Sequence, residues 1–234
     1  MTLARAGAHV LVADIDAVAA RTVADEVSAV GVQCHAMPMD VTRWDDAQRL
    51  HGTIDERFGR LDIAVNAAGV ISVRRVEDMG EAEWDRVMDV NAKGTFLCCR
   101  AAIPLLRRTG AGTIINISSV SGKDGYQGLA HYSASKYAVI GFTNSLAKEL
   151  AREEITVNAI CPGVVRTAMW DLLAKEWSND DETAEQSWQR QVLAFVPQGH
   201  PQTVEDIGDL VVYLVSARNL TGQAINLDGG LMSH

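Results

Sequence analysis

Tyr132 and Lys136, in the run Tyr132-Ser-Ala-Ser-Lys136, set a phenol and an ammonium four residues apart. On a helix that spacing makes them neighbours on one face. A free tyrosine, with pKa ~10, is a poor base at neutral pH. A nearby cation favours the phenolate and lowers that value. The chemistry expected is proton transfer by Tyr132, tuned by Lys136. Upstream, Ser119 follows the apolar run Thr113-Ile-Ile-Asn-Ile-Ser118, which reads as a buried strand. A strand end beside a helix start is where open α/β sheets bind their ligands. Taken singly, Tyr-x-x-x-Lys also fits an exposed polar pair, and Ser119 a strand-end cap.

The elements that must hold these groups alternate along the chain. Strands are expected at His9–Ile15, Val32–Met37, Leu61–Val65, Thr113–Ser118, Ile155–Ile160 and Gln223–Leu227. A helix follows the first strand to about Val30, and Thr42 is expected to cap one with the stripe Trp44, Ala47, Leu50, Ile54 and Phe58. A long helical stretch runs from Glu81 to Leu106, kinked near Asn91, with others at 133–150 and 203–215. Such alternation implies a parallel sheet covered on both faces. Met169 to Pro201 is irregular, with three tryptophans and the acidic run Asn179-Asp-Asp-Glu182, and by itself reads as a surface helical insertion.

Further motifs fall at the strand ends. Asn66-Ala-Ala-Gly69 follows the third strand, Asp89-Val-Asn91 lies in a helix, and Pro162-Gly163-Val-Val-Arg-Thr167 follows the fifth. Asp228-Gly229-Gly230 closes the last. Together with Ser119 and Tyr132-x-x-x-Lys136 these resemble, in order and spacing, the classical short-chain dehydrogenase/reductase family, from about Ala6 to Gly230. The resemblance implies an α/β, Rossmann-type doubly wound parallel sheet in a single domain (1–234), with 168–201 as a substrate lid. It also implies hydride transfer between NAD(H) and a secondary alcohol or ketone, with Asn91, Ser119, Tyr132 and Lys136 as the catalytic set. Tyr132 would be the acid/base, Ser119 would hydrogen-bond the substrate oxygen, and Lys136 would hold the nicotinamide ribose. Asn91 would hold a water that links Lys136 to solvent.

Cofactor contacts are expected along the same edge. Asp14 closes its strand, where a carboxylate can accept both hydroxyls of the adenosine ribose and repel a 2′-phosphate, favouring NAD over NADP. It could instead cap the next helix, as could Asp16. By resemblance, Asp40 and Val41 contact adenine, and Asn66, Ala67 and Gly69 form the turn beneath the cofactor. Pro162, Gly163, Val165 and Thr167 form the loop over the nicotinamide. The lid and chain end resemble members acting on polyols and acyloins, so a small alcohol or ketone is the expected substrate. A 3-oxoacyl thioester reductase is the alternative. From another class, a non-catalytic binding or oligomer-forming protein on this scaffold is also consistent.

That last alternative arises because the family's opening strand and Thr-Gly-x-x-x-Gly-x-Gly turn have no counterpart in the sequence. Leu3 to Val10 already matches the end of the helix after that turn, so Met1 is read as an internal methionine. The expected sheet therefore lacks its usual first strand. The strand at His9–Ile15 would slide to pair with Leu61–Val65, leave a slot open, or be displaced with the first forty residues, and NAD binding would be weak.

Composition bounds the rest. With 47% hydrophobic and 22% charged residues the chain is globular. Net charge −9 with scattered Lys and Arg argues against nucleic acid. Cys34, Cys98, Cys99 and Cys161 have no metal-finger spacing and the histidines form no cluster, so no metal is expected, and the pattern suits a reducing cytoplasm. No apolar run approaches the ~20 residues of a membrane span. The resemblance implies a homotetramer built through 91–107 and 133–150, with Cys98, Cys99, Ala101, Ala138 and Gly141 letting helices approach closely.

Overall fold

The computed structural model describes residues 1–233. In chain order the elements are α1 (Thr2–Arg5), β1 (Val10–Asp14), α2 (Ala17–Ser28), β2 (Cys34–Pro38), α3 (Trp44–Arg57) and β3 (Ile63–Asn66). Then come α4 (Glu81–Met88), a π-helical turn (Asp89–Lys93), α5 (Gly94–Thr109), β4 (Gly112–Ile117) and α6 (Ala130–Leu150). Last are β5 (Ile155–Pro162), α7 (Ala168–Glu176), α8 (Ala184–Phe195), α9 (Val204–Ser216) and β6 (Ala224–Leu227). The expected alternation is present and every strand pair is parallel.

The sheet is divided. β1 pairs only with β2, whereas β3, β4, β5 and β6 form a second sheet in that order. No ladder joins β1 to β3 among the described residues, so β1 has not slid in to pair with Ile63. The four-stranded sheet holds the core. Ile114, Ile115, Val157 and Ile160 have no exposed surface, packed from one side by Leu146, Ala147 and Leu150 of α6 and from the other by Val211 and Leu214 of α9. β-branched residues on both faces suit strands covered twice. By contrast, the outer end of β1 is exposed from Ala13 onward.

One local expectation is corrected, and two others are made specific. Thr42 does not cap α3: Arg43 holds that position without a side-chain bond, and Thr42 donates its hydroxyl to Asp40 instead. The irregular stretch from Met169 to Pro201 contains two helices, α7 and α8, the second started by a reciprocal Thr183–Gln186 capping box. The small residues of α5 and α6 do not share one outer face. Cys99 and Ala101 are buried within the chain, while Ala138 and Gly141 are exposed. The expected kink at Asn91 takes the form of the π-helical turn, a feature that often marks a functional position.

Candidate active site

A cavity of about 340 Å³ opens at the C-terminal ends of β4 and β5, against the start of α6. Ser119, Tyr132 and Lys136 line it, with Ala67, Gly69, Pro162, Gly163, Val165 and Thr167. Nine residues assigned from sequence thus meet in one cavity. Much of the remaining lining is apolar or aromatic, including Ile71, Leu129, Met169, Trp170, Leu173, Trp177, Phe195 and Tyr126. Sequence reasoning did not assign these individually. The lid tryptophans were the available signal, and Trp170 meets both Trp177 and Trp188 edge-on at ring distances of 6.1 and 5.8 Å.

Tyr132 and Lys136 do sit on one face of α6, with the ammonium 5.6 Å from the phenol ring centre. Both are buried, at 6% and 4% exposure. The expected sign of the tyrosine shift is corrected. Burial pushes the Tyr132 pKa up to about 12, opposed by the Ser119 hydroxyl, because the phenolate loses its solvent. Burial likewise brings Lys136 down to about 8. Its ammonium donates to Ile117 O at 2.9 Å, its only hydrogen-bond partner among the described residues. Two of its three donors remain for a ligand. The Tyr132 hydroxyl donates only to Met169 Sδ, at 3.7 Å, and a thioether is a weak acceptor that a carbonyl oxygen outcompetes. Ser119 Oγ accepts from Ser121 N at 3.1 Å and lines the cavity beside Tyr132.

Asn91 lies behind this lining. Its carboxamide is fully buried and grips Val70 at both ends: Oδ1 accepts from Val70 N at 2.8 Å, and Nδ2 donates to Val70 O at 2.9 Å. It also donates to Ser135 Oγ at 3.0 Å. A Cβ at Gly69 would stand 3.5 Å from both Asn91 Oδ1 and Lys136 Nζ, an ordinary van der Waals contact. Gly163, in contrast, is needed for close approach. A Cβ there would meet the Asp228 Cα at 2.9 Å.

Other assigned residues lie outside the cavity. Asn66 turns into the core, donating to Asn116 Oδ1 at 2.8 Å and Cys99 Sγ at 3.1 Å. Asp16 is the α2 cap, accepting from Val18 and Ala19, so the capping use of Asp14 is set aside. Asp14 accepts from Asp16 N at 2.9 Å and stays exposed. The Asp40 carboxylate is engaged by the Thr42 amide and hydroxyl. Val41 packs on Gly94 of α5, where an added Cβ would meet it at 2.8 Å.

A family model described as enoyl-(acyl carrier protein) reductase matches residues 1–232. The chain belongs to the short-chain dehydrogenase/reductase family. It is 39% identical over 214 residues to a 3-oxoacyl-(acyl-carrier-protein) reductase of Staphylococcus aureus, covering 91% of this chain and 82% of that one. An actinorhodin polyketide ketoreductase solved with NADPH superposes at TM-score 0.95 with 33% identity, covering 100% of this chain and 91% of that one. An NAD+-bound xylitol dehydrogenase superposes at 0.90 with 26% identity, covering 98% and 91%. The chain is therefore an oxidoreductase of a family acting on alcohol and keto groups. No helix among the described residues is long and apolar enough to cross a membrane.

Proposed function

We propose that the protein reduces the keto group of an apolar 3-oxoacyl thioester or a similar polyketide-like chain, using a nicotinamide cofactor. The observation that carries this reading is the largely apolar and aromatic lining of the cavity that holds Ser119 and Tyr132. A polyol seated there would strip water from hydroxyls without partners, at roughly 1–3 kcal/mol each. An acyl chain would bury its methylenes at a gain of about 0.8 kcal/mol apiece. That balance, with the 3-oxoacyl and polyketide reductases among the relatives, favours the thioester over the polyol or acyloin expected from the lid.

Tyr132 is proposed as the acid that protonates the carbonyl oxygen; its raised pKa keeps the phenol in the donating form. Ser119 donates to the same oxygen, and Lys136 offers its unused donors to the ribose hydroxyls. Asn91 fixes the backbone at Val70, between Gly69 and Ile71 of the cavity lining. The cofactor, when bound, supplies the hydride to the carbonyl carbon. The free Lys136 donors fit its nicotinamide half. The exposed carboxylate of Asp14 supports NAD(H) over NADP(H), although the solved relatives carry one or the other.

The deciding experiment is a spectrophotometric panel of 3-oxoacyl thioesters, xylulose and diacetyl with NADH and NADPH. Preference for the thioesters supports this reading. Preference for the sugar or diketone overturns it, and no turnover with any substrate favours the non-catalytic class. Assembly into a homotetramer through α5 and α6 is proposed as well. The exposed Phe96 and Tyr137, with Phe96 edge-on to Phe142, are the features that support it. Light scattering that gives a monomer at micromolar concentration would exclude it.

A further inference from the structure

Residues 69–75, between β3 and α4, are fastened at three points, and the middle one has no part in the reaction above. Asn91 grips Val70 at the start, and near the end Arg74 N donates to Gly128 O at 2.9 Å. Between them Ser72 Oγ lies 2.8 Å from His131 Nε2. His131 immediately precedes Tyr132 on α6 and is fully buried, and its Nδ1 has no partner among the described residues. Glu83 of α4 also lies beside Ser72. The Ser72 hydroxyl, more than Arg74 or His131, holds its carboxyl below the usual range against a smaller opposing effect of burial. A serine hydroxyl both donates and accepts, so the Ser72–His131 bond forms with either tautomer of the ring.

The residues flanking Ser72 face the substrate's path. Ile71 lines the reaction cavity and packs with Leu129, Tyr132 and Leu173. Val73 lines an adjoining open groove of about 640 Å³, which shares Tyr126, Trp177 and Phe195 with the cavity. A shift of the loop backbone at Ser72 therefore moves one apolar side chain in each compartment.

We infer that His131 and Ser72 are positioning residues, whose hydrogen bond sets how far Ile71 and Val73 project into the substrate passage and so which acyl groups fit. The statement about acyl groups rests on the proposed ketoreduction. The statement about the loop does not, and the test separates the two.

Three variants of the full chain decide it: Ser72→Ala, His131→Asn and His131→Gln. A glutamine amide reaches the place of Nε2, whereas an asparagine amide reaches only that of Nδ1. Amide hydrogen exchange in residues 70–75 should quicken about tenfold in S72A and H131N, with the global unfolding midpoint little changed, as expected for a local opening. H131Q should protect those amides like the parent. With 3-oxoacyl thioesters of graded length, S72A and H131N should raise KM several-fold for the longer chains while kcat stays within about twofold, and H131Q should restore KM. Unchanged exchange in S72A, or H131Q as impaired as H131N, overturns the inference. Equal KM changes at every chain length overturn its specificity part. If no ketone is reduced at all, the proposed reaction fails while the exchange result still decides the loop.

Discussion

The two sheets divide the labour of the site unequally. Around β3–β6 the assigned groups are enclosed: Ser119, Tyr132 and Lys136 are buried, Lys136 keeps two donors beyond its bond to Ile117 O, and Tyr132 gives its one proton to a weak thioether acceptor. On β1–β2 the assigned cofactor residues are peripheral to the cavity. Asp14 is exposed, Asp40 is occupied by Thr42, and Val41 is used as packing. The assigned groups of one half include the desolvated Tyr132 and Lys136 with shifted pKa values, whereas those of the other half are half-buried or, at Asp14, exposed at a sheet margin. Substitutions should therefore cut deeply in the first half and shallowly in the second.

The largest expected effect is at Tyr132. Tyr132→Phe keeps the ring and removes the proton donor, so ketone reduction should fall by roughly 10²–10⁴-fold. NADH binding measured by fluorescence should change little. Retention of a tenth of the activity would break the assignment of the acid to the enclosed half.

Next comes the cost of holding Lys136 there. Its ordinary pKa near 10.4 falls in the fold to about 8. A depressed ammonium costs stability that is fully present below pH 8 and fades as pH rises toward the unfolded value. Lys136→Met should thus abolish activity yet raise stability by on the order of 1–3 kcal/mol at pH 7, less the loss of the bond to Ile117 O. The gain should shrink between pH 8 and 10.5. Urea melts showing a pH-independent difference, or a loss, would contradict the desolvation argument.

A smaller structural effect is expected at Gly163. An alanine there would press on the Asp228 backbone, which cannot yield as a flexible side chain would. Gly163→Ala should cost about 1–3 kcal/mol and raise KM for the cofactor, both readable from thermal melts and steady-state kinetics. A neutral outcome would mean that the β5–β6 end of the enclosed half is more pliant than its contacts imply.

Most of this was legible in the sequence, for identifiable reasons. Buried parallel strands read as apolar runs, so β4 and β5 were found to within a few residues, and the strand-end motifs converged on one cavity. Long-range electrostatics was not legible. The spacing of Tyr132 and Lys136 implied a lowered phenol pKa, because spacing reports proximity and says nothing of desolvation. Side-chain direction was also hidden. Asn66 sits at the right strand end, yet its amide is spent on Asn116 and Cys99 in the core. The Ser72–His131 pair joins residues far apart in the chain, so no local pattern announces it.

The smallest expected effect tests the peripheral half itself. Asp14 is exposed and makes one short-range bond, to Asp16 N, while Asp16 alone caps α2. Asp14→Ala should therefore leave stability within about 0.5 kcal/mol. Its effect should fall on cofactor choice. The carboxylate would accept from a ribose diol and repel a 2′-phosphate, and at a solvated margin that repulsion is worth about 1 kcal/mol. Its removal should narrow the NADH-over-NADPH ratio of kcat/KM about fivefold, more at low salt than at high salt, since exposed charges are screened. A parent enzyme that prefers NADPH would refute this reading of Asp14. A ratio unmoved by D14A at low salt would instead show that cofactor choice is made beside Lys136, and that β1 contributes shape rather than charge.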